Sequence, residues 1–257
     1  SYLSAYERGP TAVFAEKPFA TSANEHRGLI GAFEPHRLGC AYMRRFYAST
    51  LTLRELVRTA PFGALRRIQV SEGNRTAASR VDSSYFDDAR QTGHGGILSE
   101  LGCHSLDVAL FVSGAHTFRV AGCDLVMDAA TDRKITAQVQ LLESSYLPAE
   151  GVCLDVCVSW LDRQLNRMTF EFDHATVWIE THPASEVHLA GTSHPGTEFL
   201  LRSALEGART SNQAFFLQWQ SFLDGVRAGQ ESQVSARSAL LSTELIEALY
   251  GHGRGHA

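Results

Sequence analysis

Long apolar runs are missing from this sequence. None approaches the ~18–20 residues that cross a bilayer, and no basic stretch leading into an apolar one stands at its start, so no membrane is expected as a partner. Basic charge is short too: 23 Lys and Arg stand against 28 Asp and Glu, a net charge of −5, where a general nucleic-acid binder would carry a basic field or stripe. No nucleic-acid partner is expected. Cysteine is sparse and odd in number. Cys40, Cys103, Cys123, Cys153 and Cys157 are scattered through apolar segments, which is not the pattern of a disulfide framework and favours a reducing, cytoplasmic setting. Cys153 and Cys157, four apart, would share one face of a strand, where inert thiols and a metal-binding pair are both open readings. Neither a repeat at a solenoid period nor a low-complexity tract is present. The remaining composition is ordinary, with 44% apolar and 20% charged residues over 257 positions, enough for one large domain or two small ones around a real core.

The order of elements is more informative. Residues 1–8 read as a short amphipathic helix (Tyr2, Leu3, Tyr6) closed by Gly9-Pro10. A chain that starts inside an element, without methionine, is expected to be truncated, processed or completed by something else. Residues 11–15 (TAVFA) form a short buried-strand pattern, Ser22 and Glu25 form a capping box for a helix to about 33, and 38–43 (LGCAYM) is a second apolar run. Strand, helix, strand is a βαβ unit, so the opening looks like the end of a parallel doubly wound sheet.

Beyond it the spacing predicts a helix over 51–59, a strand over 64–72, a long polar stretch over 73–96 and a helix over 97–112. Alternating runs follow at 117–127, 135–142, 151–161, 168–172, 176–180, 186–189 and 198–201, then helices at 212–228 and 235–250 and a tail, GHGRGHA, expected to fray. The fold class expected is therefore an α/β remnant, the last βαβ unit of a doubly wound parallel sheet, over 1–47. An α+β domain with a large, mainly antiparallel sheet follows over 48–257.

Three stretches carry chemistry. Glu16-Lys17-Pro18 ends the first strand, where ligands of open α/β sheets bind, so Lys17 either meets a cofactor and substrate or is a surface lysine at a strand end. Pro18 restricts Lys17 to an extended conformation. In GGILSELGCHSLD (95–107), glycines lead into a helix that places Glu100 and His104 four apart on one face. A carboxylate there can orient the imidazole and fix its tautomer for proton transfer, with Asp107 capping or pairing; a solvated ion pair is the plainer alternative. In AYMRRF (41–46), Arg44 and Arg45 either clamp a substrate or cofactor phosphate or tie the two halves together.

Taken jointly, AEKPFA at 15–20, AYMRRF at 41–46 and GGILSELGCHSLD at 95–107 resemble the glucose–fructose oxidoreductase / inositol dehydrogenase / rhizopine catabolism (Gfo/Idh/MocA) family, in order and in spacing. The resemblance implies an NAD(P)-dependent oxidoreductase acting on a sugar, polyol or related hydroxyl or carbonyl compound. It implies that Lys17 and His104 are catalytic; beside it, Glu16, Lys17 and Pro18 are expected to meet NAD or NADP, Glu100, Arg44, Arg45 and Asp107 to face substrate, and no resident metal is expected. Glu100 stands where that family usually has aspartate. A G-x-G-x-x-G turn between a first strand and helix is absent, so about 90 residues of a nucleotide-binding half are expected to be missing, or supplied by a separate partner.

Two other readings stand beside this one. A catalytically inactive family-derived subunit would keep the antiparallel sheet as an oligomerisation or partner-binding surface, and a homo-oligomer through that sheet is expected in either case. A metal-assisted hydrolase or lyase would draw on His174, His182, His188 and His194, whose spacing fits no ligand pattern.

Overall fold

The computed structural model describes residues 11–75, 95–128, 131–182, 186–191, 197–201 and 205–254. The helix expected over 1–8 and most of the polar 73–96 stretch lie outside them.

Strands β1 (Val13–Ala15) and β2 (Leu38–Cys40) pair in parallel, Phe14 opposite Gly39, with helix α1 (Ala23–Ala32) crossing between them. This is the βαβ unit read from the sequence. Ser22 caps α1 by accepting from the Glu25 N–H at 3.1 Å, but the Glu25 carboxylate returns to the N–H and hydroxyl of Thr21 rather than to Ser22. The second strand is shorter than expected. After Cys40 the Tyr42 N–H turns back to the Cys40 carbonyl, and Met43–Phe46 wind into a 3₁₀ turn that leads into α2 (Ala48–Thr59).

The large sheet comprises β3 (Leu65–Glu72), β4 (Thr117–Asp128), β5 (Thr131–Leu142), β6 (Val152–Ser159), β7 (Arg167–Phe172), β8 (Ala175–Glu180), β9 (Val187–Gly191) and β10 (Glu198–Leu201), in the order β10-β9-β8-β7-β3-β6-β5-β4. Among these, β3 runs parallel to β6 and every other neighbouring pair is antiparallel. Period-2 alternation decides what each strand buries. Ile135, Val139 and Leu141 of β5, Leu154 and Val158 of β6 and Met168 and Phe170 of β7 enter the core, packed with Leu53 of α2, Leu106 of α3 (Cys103–Ser113), Phe222 of α4 (Ser211–Ala228) and Leu245 and Leu249 of α5 (Ala236–Arg254). On the opposite face Gln69, Cys153, Asp155, Cys157 and Thr169 stay half-exposed. A smaller apolar cluster joins Ala15, Leu29, Leu38 and Cys40 of the βαβ unit to Ala236 and Ala239 of α5.

The chain end differs from expectation. Residues 251–254 are helical rather than frayed, because α5 lies closely along β4: a Cβ on Gly253 would stand 2.7 Å from the Leu125 side chain. Among the described residues no helix is long and apolar enough to cross a membrane.

Candidate active site

Several strand ends open into one cavity of about 560 Å³. Lys17 enters from the end of β1, Arg44 from the 3₁₀ turn after β2, Glu72 from the last position of β3, Trp160 from just beyond β6, and Thr181 and His182 from just beyond β8. Glu100 comes from the turn leading into α3 and His104 from the first turn of α3 itself. A second cavity of about 590 Å³, beside Arg54, Phe111 and Arg237, contains none of Lys17, Glu100 or His104.

The α3 entry is built on glycine and aspartate. Gly96 has φ +152°, and a Cβ there would fall 1.9 Å from the Asp132 carboxylate, whose other oxygen accepts from the Leu98 N–H at 2.9 Å. Leu98–Gly102 then forms a π-helical turn before α3 proper. This corrects the regular helix expected from 97. A π turn spreads the residues that an α-helix would stack four apart. Glu100 and His104 share the cavity, but no hydrogen bond joins the Glu100 carboxylate to the imidazole among the described residues. The Glu100 carbonyl instead accepts from Lys17 Nζ, and His104 Nδ1 is buried without a hydrogen-bond partner among the described residues. Burial of the ring, reinforced by the positive charge of Arg44 and Lys17, holds the His104 pKa well below the ordinary histidine value. Its neighbour Tyr42 meets the ring edge-on at 6.2 Å. Beside Lys17, Glu16 is exposed and Pro18 half-buried, across a cis peptide bond.

The adjacent arginines divide. Arg45 lies outside this cavity with all five of its N–H groups engaged. Nε and Nη2 donate to the two Asp107 oxygens at 2.8 and 2.6 Å, Nη2 also to the Ser238 carbonyl at 3.0 Å, and Nη1 to the Gln233 carbonyl and Ser238 hydroxyl at 2.8 Å each. Asp107 also accepts from Ser242 at 2.8 Å. The pair ties the 3₁₀ turn and α3 to the start of α5, with no Arg45 donor left for a ligand. Arg44 faces the cavity: Nη2 lies 2.8 Å from Glu72 Oε1, and Nη1 donates at 3.2 Å to both Glu72 Oε2 and the Ser105 hydroxyl. The Ser105 hydroxyl in turn donates to Glu72 Oε2. Arg44 Nε–H has no acceptor among the described residues.

Glu72, Trp160, Asn166, Thr181 and His182 were not singled out for this site from the sequence, although Glu72, Trp160 and His182 all stand at or just past strand ends. His182 lies within 3.4 Å of the Tyr47 hydroxyl and 3.3 Å of the Ser211 hydroxyl, and burial and then Arg44 lower its pKa. Asn166 steadies the cavity mouth by accepting from the Gly73 N–H at 2.8 Å. Of the other histidines considered for a metal, His174 and His188 do not line it, His188 stacking on Trp178 at 3.5 Å and bonding Glu198 at 2.6 Å, and His194 lies outside the described residues. Among the described residues no three His, Cys, Asp or Glu side chains gather as a metal site would need.

No protein-family model matches the chain, and its sequence matches no curated protein. Solved structures do match. Aldose-aldose oxidoreductase from Caulobacter crescentus, complexed with glycerol, superposes with a TM-score of 0.80 at 20% identity over 100% of this chain and 74% of its own. Levoglucosan dehydrogenase, complexed with NADH and L-sorbose, gives 0.81 at 11% identity over 99% of this chain and 74% of its own. The chain has the fold of these solved oxidoreductases, as the Gfo/Idh/MocA resemblance of its motifs implies. UDP-N-acetylglucosamine 3-dehydrogenase from Acidithiobacillus ferrooxidans shares that fold at a TM-score of 0.74 and 18% identity, over 98% of this chain and 74% of its own.

Proposed function

We propose that the chain is the substrate-binding part of an NAD(P)-dependent oxidoreductase acting on a hydroxyl or carbonyl of a sugar, polyol or related compound. The observation that carries this reading is the meeting of Lys17, Glu100 and His104 in one cavity at the carboxyl end of β1. Residues 1–47 belong to the nucleotide-binding side and 48–257 to the substrate side.

The nicotinamide end of a dinucleotide fits beside Glu16, Lys17 and Pro18, at the sheet edge where such ligands rest. Its pyrophosphate does not fit these residues, because no glycine-rich strand-to-helix turn stands in the sequence. A nucleotide-binding half, covalent or separate, completes the site. When bound, a nicotinamide accepts or donates hydride. His104, neutral and with Nδ1 buried, accepts the substrate hydroxyl proton at Nε2. Lys17 is held by the Glu100 carbonyl and donates to the substrate oxygen as it becomes a carbonyl. Glu100 and the free Arg44 Nε–H hold neighbouring hydroxyls. Arg45 and Asp107 hold the 3₁₀ turn and α3 to the start of α5, outside the cavity. The test is a fluorescence titration with NADH and NADPH of the gene product together with its nucleotide-binding half. Saturable quenching that sugar strengthens supports the reading, and absence of binding refutes it.

The half-exposed face of the large sheet is the natural surface for a second copy, which would cover the Cys153–Asp155–Cys157 stripe of β6. Light scattering that finds only monomer refutes that arrangement. The five cysteines are free thiols, in keeping with the cytoplasm.

A further inference from the structure

We infer that Glu72 sets the charge class of the substrate: by neutralising Arg44 in the cavity wall it fits the site to an uncharged sugar or polyol rather than to the matching sugar carboxylate. The inference rests on the reading of the cavity as a sugar site. An arginine at a ligand cavity is ordinarily the best clamp for a carboxylate, through its planar fork of donors. Here the Nη1/Nη2 end of that fork is already occupied. Glu72 takes Nη1 and Nη2 of Arg44, and the two side chains are only 8% and 2% exposed. Ser105 fixes the carboxylate from the other side by donating to Oε2 and accepting from Arg44 Nη1. A substrate carboxylate could take the Nη1/Nη2 fork of Arg44 only by displacing Glu72, which would strand a buried carboxylate without its cation, and at the remaining Nε–H it would meet a guanidinium whose charge Glu72 already balances.

The rest of the lining gives an anion no other welcome. Among the described residues the charged lining is Lys17 and Arg44 against Glu72 and Glu100, which balance. Lys17 stands beside Glu100, whose carboxylate would repel a second one. An uncharged polyol meets no such conflict: its hydroxyls donate to Glu100 and accept from Lys17 and from the free Nε–H of Arg44. Specificity of this kind works as much by penalising the wrong ligand as by attracting the right one.

The experiment is a binding titration of wild type, Glu72→Gln and the double variant Arg44→Leu/Glu72→Leu, followed by ligand-observed NMR, with two matched pairs of probes: glucose against glucuronate, and sorbitol against gluconate. Wild type binds the neutral member of each pair at least about tenfold more tightly. Glu72→Gln, which keeps the shape and frees the Arg44 charge, shifts the ratio about tenfold or more towards the carboxylate. The double variant removes both charges and keeps the neutral preference, so the wild type and the double variant still decide the matter if Glu72→Gln does not fold. Tighter binding of the carboxylates by wild type, an unchanged ratio in folded Glu72→Gln, or a carboxylate preference in the double variant overturns this inference and leaves the sugar-site reading standing. Binding of none of the four compounds overturns the sugar-site reading and this inference with it.

Discussion

Replacing Asp107 by Asn would leave Arg45 as a buried cation with no counter-charge. Wild-type Arg45 spends two of its five N–H groups on Asp107, and both side chains are almost fully buried, at 4% and 1% exposure. Removing one partner of such a pair costs about 3–5 kcal/mol, because the remaining charge stays desolvated. In a chain of this size that lowers the melting temperature by roughly 10 °C. Replacing both partners, as in Arg45→Met/Asp107→Leu, removes charge and desolvation together and should recover most of the loss. Thermal melts followed by circular dichroism give both numbers. At a temperature where Asp107→Asn remains folded, its affinity for sugar should equal that of wild type, since neither group lines the sugar cavity. A melting temperature within about 2 °C of wild type would refute the structural role. So would a double variant less stable than the single one, or a selective loss of sugar binding.

Other expectations follow from single contacts. Gly253→Ala drives a Cβ into Leu125 and should cost about 1–3 kcal/mol. Gly251→Ala, with nothing within 4 Å of the added carbon, should gain up to about 1 kcal/mol from helix propensity; equal effects in chemical denaturation would contradict the packing of α5 on β4. His26 is buried, bonded to Thr243 at 2.8 Å and to the Ala236 carbonyl at 2.9 Å, and burial lowers its pKa from the ordinary 6.5 to about 4. The unfolded chain therefore takes up its proton first. On the order of 3 kcal/mol of stability, complete above pH 6.5, is lost as pH falls towards 4, and a His26→Phe variant should melt without that component. With its pKa held well below the ordinary value, His104 should support hydroxyl oxidation without the fall near pH 6.5 that an unperturbed histidine base would show.

The sequence made the architecture legible because strand alternation is local. The strand runs read over 117–201 match β4 to β10 in number and order, and the βαβ opening follows from two short apolar runs around a capped helix. The site was legible only in part. Lys17 could be placed because a strand end precedes it, and His104 because glycines and a helix surround it. The relation of His104 to Glu100 could not be read, since a π turn leaves no mark in residue spacing. The split between Arg44 and Arg45 depends on tertiary partners more than 25 positions away: Glu72 for one, Asp107 and Ser238 for the other. His182 shared its residue type with ten other histidines, and only the end of β8 beside the cavity distinguishes it.

The most direct test is steady-state formation of NAD(P)H from a sugar or polyol by the complete protein, comparing wild type with His104→Ala and Lys17→Met. The proposed chemistry requires turnover in the wild type. It also requires a loss of about 10²-fold or more in kcat for His104→Ala, with the fold and the binding of NADH retained in both variants. Undiminished turnover in His104→Ala would contradict it.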